Sequence, residues 1–315
     1  MVDRATMVKI AYWYYKKNIT QEEIAKRLGY SRQRVNKLVS SLIPEGIVNI
    51  EIRGLEHEHI MLENELEHHF SLKRVIIADT KQAEMPRLAV LGKKAADFLD
   101  EYIQDGKTVG VSWGSTLGET ISYMHATNKK RCSVVQLVGG LEAADMAVKP
   151  DEITRMLAAK LGCDYNILYA PAVLSDEVAR EILAEQQFYK EAAARIEHCD
   201  IAVIGIGQLH ENATIVSSGY LPEADMRDML AKGYVGDICF NHYRADGDTG
   251  IFQVKKRVMG VDIETLRRIP VVIAIAGGED KAESVLGALN TGCLDVLIVD
   301  IALAAKLEAM TLKRV

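Results

Sequence analysis

Disulfide and zinc scaffolds are excluded first. The five cysteines (Cys132, Cys163, Cys199, Cys239, Cys293) form no CxxC pair and no four-ligand spacing. Scattered free thiols of this kind fit a reducing cytoplasm. No uninterrupted apolar run approaches the ~18 residues of a membrane span, and Met1 to Lys9 lacks the apolar stretch of a secretory leader. A cytoplasmic protein with no membrane partner is expected. No G-x-G-x-x-G follows an early strand, since Gly205-Ile206-Gly207 continues with Gln208, Leu209 and His210. No G-x-x-x-x-G-K-[ST] occurs either. Dinucleotide binding and nucleotide hydrolysis therefore lack their motifs, and no cofactor or metal is expected. No short-period repeat is visible, which argues against a solenoid.

What is present is an uneven distribution of charge. The 315 residues carry a net −6, a balance that ordinarily speaks against nucleic acid. Residues 1–55, however, hold ten basic side chains against five acidic ones, a local +5. The remainder holds 28 basic against 39 acidic, or −11. A basic head on an acidic body suits a protein whose head alone meets phosphates.

The head reads as three helices. Val8, Ile10, Ala11, Tyr14 and Tyr15 recur at helical spacing. Thr20 stands three residues before Glu23, a capping box that starts a second helix over Gln21–Leu28. Gly29 ends that helix. Ser31 caps a third helix with an apolar stripe of Val35, Leu38, Val39 and Leu42. Its polar face carries Arg32, Gln33, Arg34, Asn36 and Lys37. Helix, three-residue turn and polar-faced helix form the helix-turn-helix pattern, in which the second helix lies in the major groove. Arg, Gln and Asn are the side chains able to make bidentate contacts to guanine or adenine, and Lys37, Lys26 and Arg27 suit phosphates. Thr20, Gln21 and Ser31, at the two helix starts, complete the expected DNA-binding set. Ile47 to Ile52 alternates and predicts a strand closing the head.

Residues 55–71 read as a linker helix with Ile60, Leu62, Leu66 and Phe70 at its seam. It carries His57, His59, His68 and His69, half of the eight histidines. Without an accompanying ligand set, a solvated helix assisting dimer contact fits better than a metal site.

From residue 72 onward, short apolar runs alternate with helical stretches, the pattern of an α/β domain with a mainly parallel sheet. The expected strands are Arg74–Ala78, Thr108–Ser112, Ser133–Val138, Tyr165–Tyr169, Ile201–Ile206, Val271–Ala276 and Val296–Val299. Helices are expected over Pro86–Ile103, Leu117–His125, Ile153–Leu161, Asp176–Ala194 and Lys281–Thr291. Several strands end in Gly- or hydroxyl-bearing turns: Trp113-Gly114-Ser115-Thr116, Gly139-Gly140, Gly205-Ile206-Gly207 and Gly277-Gly278 ahead of Lys281. Such turns lie at the carboxyl edge of an open sheet, where glycine admits close approach and helix starts offer free amides to an anion. Converging there with a lysine, they predict a site for a phosphorylated ligand.

The head "YYKKNITQEEIAKRLGYSRQRVNKLV" and the body segments "DGKTVGVSWGSTL", "VVQLVGG", "IVSSGYL", "VGDICF" and "VIAIAGGEDKAESVLGAL" together resemble the SorC family of sugar-responsive regulators. The resemblance runs over nearly the whole chain in the same order. It implies a Rossmann-like α/β effector domain similar in fold to ribose-5-phosphate isomerase and glucosamine-6-phosphate deaminase. It further implies that Ser115 and Thr116 with Lys281 bind an effector phosphate, that Asp237 binds sugar hydroxyls, that Gly139, Gly140 and Pro171 line the pocket, and that Gly114 belongs to the same effector-binding set. Val138 departs from those relatives that carry a basic residue there, so phosphate contact or a Schiff base from that position is not expected.

The expected organisation is a helix-turn-helix over 1–54, a linker helix over 55–71, and an effector and oligomerisation domain over 72–315. The expected function is transcriptional control of a sugar or polyol catabolic operon by a phosphorylated sugar or polyol. Operator DNA, that effector and further copies of the chain, as a tetramer, are its partners. The alternative is an isomerase- or deaminase-like enzyme with a fused DNA-binding head. Asp145, Asp237, Glu279 and Asp280 are its candidate bases, and Tyr169, Gln136 and His242 are candidates for effector selectivity.

Overall fold

Three side-chain caps start the three helices of the head. In the computed structural model, which describes residues 2–51, 59–81, 84–140, 149–211, 213, 216, 221–250 and 253–312, Asp3 accepts the Thr6 amide at 2.9 Å ahead of α1 (Arg4–Ala11). Thr20 and Glu23 form the reciprocal capping box at the start of α2 (Gln21–Leu28). Ser31 accepts the Arg34 amide at 3.2 Å ahead of α3 (Arg32–Ser41). Gly29 is left-handed (φ 65°) and ends α2, a conformation that costs a residue without Cβ little. Met7, Ile10, Ala11, Ile24, Val35, Val39 and Leu42 form the head's own core.

Two expectations for the head are corrected. Val8 and Tyr15 face solvent, 50% and 38% exposed, because Met7, Ile10, Ala11 and Tyr14 supply the true i, i+3, i+4, i+7 stripe. A π-helical turn, Tyr12–Lys16, follows α1. Residues 47–51 form no strand, and Ile52 lies outside the described residues. No second strand stands beside this segment among the described residues of the head to complete a ladder. The Ile47 and Val48 amides instead donate to the Leu42 carbonyl.

The chain divides into two units, Met1–Glu58 and His59–Val315. The larger one begins with α4 (Ile60–Phe70) and β1 (Arg74–Ala78). It continues through α5 (Arg87–Tyr102), β2 (Thr108–Val111), α6 (Ser115–Tyr123), β3 (Ser133–Gln136), α7 (Pro150–Leu161) and β4 (Asp164–Asn166). Next come α8 (Glu177–Ala184), α9 (Gln187–Glu197), β5 (Ile201–Gly205), β6 (Gly207–Gln208), α10 (Glu223–Ala231), β7 (Tyr234–Ile238) and β8 (Asn241–Arg244). The unit closes with α11 (Ile263–Arg268), β9 (Val271–Ala276), α12 (Ala282–Asn290), β10 (Val296–Asp300) and α13 (Ile301–Leu312).

Seven strands form one parallel sheet in the order β1-β10-β9-β5-β2-β3-β4. Its strands are apolar runs because both faces are covered. Val75, Ile77, Ala202, Ile204, Val272, Ala274, Leu297 and Val299 point into one core, and Ile76, Ile201, Val203, Ile273, Ile275, Val296 and Ile298 into the other. Period-2 alternation thus divides each run between two layers of helices. The strand order reverses between β2 and β5, since β3 and β4 lie to one side and β9 and β10 to the other. That is where an open parallel sheet leaves a crevice at its carboxyl edge.

Three further readings change. Helix α4 is no solvated connector: Leu66 is buried in the body's core, with Leu62 and Phe70 packed against it. His57 lies outside the described residues, His59 is 3.6 Å from Asp79, and His68 and His69 are exposed. The long helix expected over 176–194 is two helices, α8 and α9. No Gly or Pro marks the break, which falls where Leu183, Ala184, Tyr189 and Ala192 pack into a small separate core. A second, antiparallel sheet, β6-β7-β8, was not expected at all. Among the described residues, no helix is long and apolar enough to cross a membrane.

Candidate functional site

In the head, burial of Val35, Val39 and Leu42 turns the rest of α3 outward. Arg32, Gln33, Arg34, Asn36 and Lys37 are all exposed on it. Gln33, Asn36 and Lys37 line a shallow depression together with Ser40 and Ser41. The Arg34 guanidinium lies 4.1 Å over the Tyr30 ring, a cation–π contact that restricts its rotamers. Lys9 and Arg27 lie over the Trp13 ring. Thr20 and Ser31 serve as the caps described above, and Gln21 occupies the first turn of α2. Arg32, Gln33, Arg34, Asn36 and Lys37 thus all lie on the exposed side of α3.

In the body, a cavity of about 350 Å³ opens at the carboxyl ends of β2 and β5, the reversal point of the sheet. Ser112 to Leu117, following β2, form one side, and Gly205 to His210, following β5, form another. Asp237, Cys239, Phe240, Ala213, Asp280 and Lys281 complete it. Ser112 Oγ accepts the Gly205 amide at 3.1 Å and ties the two strand ends together. Helix α6 starts at Gly114 (φ 133°) with no side-chain cap, so its first-turn amides are offered at the cavity rather than to a neighbouring side chain.

Lys281 Nζ donates to the Ile206 carbonyl at 3.0 Å. Burial pulls its pKa below the ordinary lysine value, while the carboxylates of Asp280 and Asp237 oppose the shift and Arg87 adds to it. Gln208 Nε2 donates to the Asp280 carbonyl at 3.0 Å and holds the turn that carries Lys281. Asp237 stands opposite Gly207 in the β6–β7 ladder. Its carboxylate fills the space a Cβ at position 207 would need, so a side chain there would displace Asp237. Its Oδ2 also accepts the Phe240 amide at 3.0 Å.

Gly114, Ser115, Thr116, Asp237 and Lys281 are thus brought together. Gly139, Gly140 and Pro171 are not among the described residues that line this cavity. They meet one another instead: the Gly140 amide donates to the Ala170 carbonyl at 2.7 Å, and the Ala172 amide to the Gly140 carbonyl at 2.8 Å. A Cβ on Gly139 would collide with the Ala170 carbonyl and with Pro171, so the glycine pair permits close approach of two backbones. Val138 beside it is buried in the core. Tyr169 is 74% exposed and is not among the residues lining the cavity, and Gln136 is buried with its amide donating to the Val138 carbonyl. His242 is buried opposite Asp237 on β8, and neither ring nitrogen has a hydrogen-bond partner. Asp145 lies outside the described residues, and Glu279 does not line the cavity.

Sequence reasoning missed Trp113 and Phe240 as wall residues, and Asp300 behind the site. Asp300 is fully buried at the end of β10, accepting the Gly278 amide at 2.6 Å and the Leu303 amide at 2.8 Å. A lone carboxylate closing the run Val296–Val299 was the available signal.

A family model described as "Putative sugar-binding domain" matches residues 57–307. The sorbitol operon regulator of Klebsiella pneumoniae is 27% identical over 303 residues, 95% of this chain and 96% of its own. The deoxyribonucleoside regulator of Bacillus subtilis is 26% identical over 294 residues, 93% and 94% of the two chains. The crystal structure of the full-length sorbitol operon regulator SorC from Klebsiella pneumoniae matches with a TM-score of 0.73 at 26% identity, covering 98% of this chain and 99% of that one. The sugar-binding domain of a transcriptional repressor from Vibrio fischeri matches with a TM-score of 0.72 at 30% identity, covering 80% and 98%.

Proposed function

The chain belongs to the SorC family of sugar-binding transcriptional regulators, and on that premise we propose that its cavity takes the phosphorylated sugar or polyol whose operon it controls. It is a regulator of a sugar catabolic operon and not an enzyme. The observation that carries the proposal is the meeting of Lys281, Asp237 and the uncapped start of α6 at the reversal point of the sheet. The phosphate sits at the first turn of α6, among the Ser115 and Thr116 hydroxyls and the Lys281 ammonium. Asp237 accepts a sugar hydroxyl. In the head, Arg32, Gln33, Arg34 and Asn36 read base edges, while Lys26, Arg27 and Lys37, with the helix starts at Thr20, Gln21 and Ser31, hold phosphates.

The regulator acts as a homo-oligomer, a tetramer, in the cytoplasm. Val178 and Ile182, one turn apart on α8 and 62% and 61% exposed, support contact between copies. Effector binding favours one arrangement of subunits and so changes operator affinity, a coupling of typically ~1–3 kcal/mol.

The test is a fluorescence-anisotropy titration of the full chain on DNA from upstream of its own operon, with and without sugar and polyol phosphates. One phosphorylated compound should shift DNA affinity by about 5-fold to 150-fold, and Lys281→Ala should abolish the shift. An equal response to the unphosphorylated compound would remove the phosphate from the reading. A ligand that binds the cavity without moving DNA affinity would remove the regulatory one.

A further inference from the structure

The two oxygens of Asp300 serve different elements. Oδ1 accepts the Leu303 amide at 2.8 Å and caps α13, while Oδ2 accepts the Gly278 amide at 2.6 Å in the turn after β9. A cap needs one oxygen, and serine, threonine or asparagine supplies it without a charge. Asp300 is instead a carboxylate with no exposure to solvent, which is costly unless its oxygens are matched and a cation stands near. Its second oxygen lies against the turn itself, since a Cβ on Gly277 would stand 2.9 Å from it. Gly278, at φ 102°, has a conformation open to glycine, and its carbonyl accepts the Lys281 amide at 3.0 Å. That bond closes the single 3-10 turn Glu279–Lys281, so where Gly278 sits decides where Lys281 begins. Arg87, the first residue of α5, approaches from the other side. Its Nε is 3.8 Å from Asp300 Oδ2, and its guanidinium lies 3.1 Å from where a Cβ on Gly278 would stand.

We propose that Asp300, with Arg87 across the turn from it, is the positioning residue that presents Lys281 to the effector phosphate. The inference rests on the reading of the cavity as a sugar-phosphate site. A Gly-Gly pair has the greatest backbone freedom of any dipeptide and cannot by itself hold a lysine in one place. A buried carboxylate accepting its amide can, because hydrogen bonds to a charged acceptor are the short, strong ones. Asp300 is not among the residues lining the cavity, so it acts through the turn and not on the ligand. Arg87 acts in two ways. It offsets the buried negative charge that would otherwise stand behind a phosphate site, and its own charge disfavours the ammonium of Lys281 while no phosphate is bound.

The test is calorimetry on the full chain with inorganic phosphate, ribose 5-phosphate, glucose 6-phosphate, fructose 6-phosphate and sorbitol 6-phosphate, over a range of pH. Asp300→Ser keeps a capping oxygen for Leu303 and is too short to hold Gly278 as well. It should bind the tightest of these compounds about tenfold or more weakly than the wild type. The pH above which affinity falls should also move up, because a Lys281 released into solvent regains an ordinary pKa. A second variant does not depend on a buried position. Arg87→Met, at a side chain 55% exposed, should move that pH up by about half a unit or more, since a cation that lowers the Lys281 pKa is gone, and Arg87→Lys should restore it. An unmoved profile in Arg87→Met overturns the proposal whatever Asp300→Ser does. So does a folded Asp300→Ser with wild-type affinity, which would make Asp300 a helix cap only, or one whose affinity drops with the profile unmoved, which would be general loosening. Those outcomes leave the sugar-phosphate reading standing. Failure of every compound to bind the wild type overturns both.

Discussion

Glu67 of α4 accepts the backbone amide of Val75 at 2.8 Å, and Glu63, one helical turn earlier, accepts that of Ile77 at the same distance. β1 is an edge strand of the parallel sheet, and its outward amides have no further strand to bond. Two carboxylates from a helix laid along that edge take the strand's place, which both satisfies the amides and blunts the edge against pairing with another chain. Removing both acceptors leaves two partly buried amides unpaired, at ~1–3 kcal/mol each. The double variant Glu63→Ala, Glu67→Ala should therefore lower Tm by at least about 2 °C and aggregate more readily on heating. The Gln double variant retains a carbonyl acceptor and should lose clearly less. Scanning calorimetry decides it, and an unchanged Tm in the Ala variant would mean that water replaces the carboxylates at no cost.

His242 supplies a prediction whose sign is counterintuitive for a buried polar residue. Both ring nitrogens lack hydrogen-bond partners. Burial lowers the imidazole pKa below its ordinary 6.5, with the neighbouring Asp237 carboxylate opposing the shift. The unfolded chain therefore takes up a proton near 6.5 that the folded chain refuses until lower pH. The stabilisation is fully present above 6.5 and is lost as pH falls through the folded value. His242→Phe removes the unsatisfied atoms and the titration together. It should leave stability at pH 7.5 equal or higher, and flatten the fall in Tm between pH 6.5 and the lower pKa. A large loss at pH 7.5 would reveal a hydrogen bond that His242 makes in solution.

What could be read from sequence was what is decided locally or by burial on both faces. The Thr20–Glu23 box and Ser31 set helix starts through bonds three residues long, and Val271–Ala276 is a strand because an all-apolar run of six suits the middle of a covered sheet. The hairpin β7–β8 escaped because Cys239-Phe240 carries none of the usual turn chemistry, its conformation being imposed by Asp237 and Asn241. Helix α4 was legible as a helix but not as an edge cover. The role of Glu63 and Glu67 exists only once β1 stands beside them. The cavity's glycines and Lys281 announced themselves, whereas Trp113 and Phe240 lie 127 positions apart and meet only in the fold.

The exposed face of α3 separates positioning from reading. Lys37→Ala should weaken specific and nonspecific DNA binding alike and reduce the slope of log affinity against log salt by about 1. Gln33→Ala and Asn36→Ala should each cost ~1–3 kcal/mol on the operator and little on unrelated DNA. Tyr30→Ala, which removes the ring under the Arg34 guanidinium, should behave like a milder Arg34→Ala because it frees the rotamers and not the charge. Anisotropy titrations at several salt concentrations read all four. An equal, salt-steep loss for Gln33→Ala on both DNAs would move that residue from base to backbone.

The pH dependence of effector binding follows from Lys281. Because burial sets its free-state pKa below 10.5, with Asp280 and Asp237 opposing and Arg87 reinforcing, the ammonium loses its proton at a lower pH than an exposed lysine would. In the free protein this makes folding stability rise with pH between the lowered value and 10.5, since over that window the unfolded chain holds the proton and the folded chain does not. A bound phosphate acts in the opposite sense, since its charge favours the ammonium and raises the pKa again. Effector affinity should thus fall by up to about tenfold per pH unit above the free-state value, with proton uptake on binding. Calorimetry in buffers of different ionisation enthalpy measures that uptake directly. Lys281→Arg keeps its charge throughout and should bind with a flat profile across the same range, though more weakly where the planar guanidinium does not fit beside Ile206. A wild-type profile as flat as that of the Arg variant would place the phosphate away from Lys281 and leave the start of α6 as its principal contact.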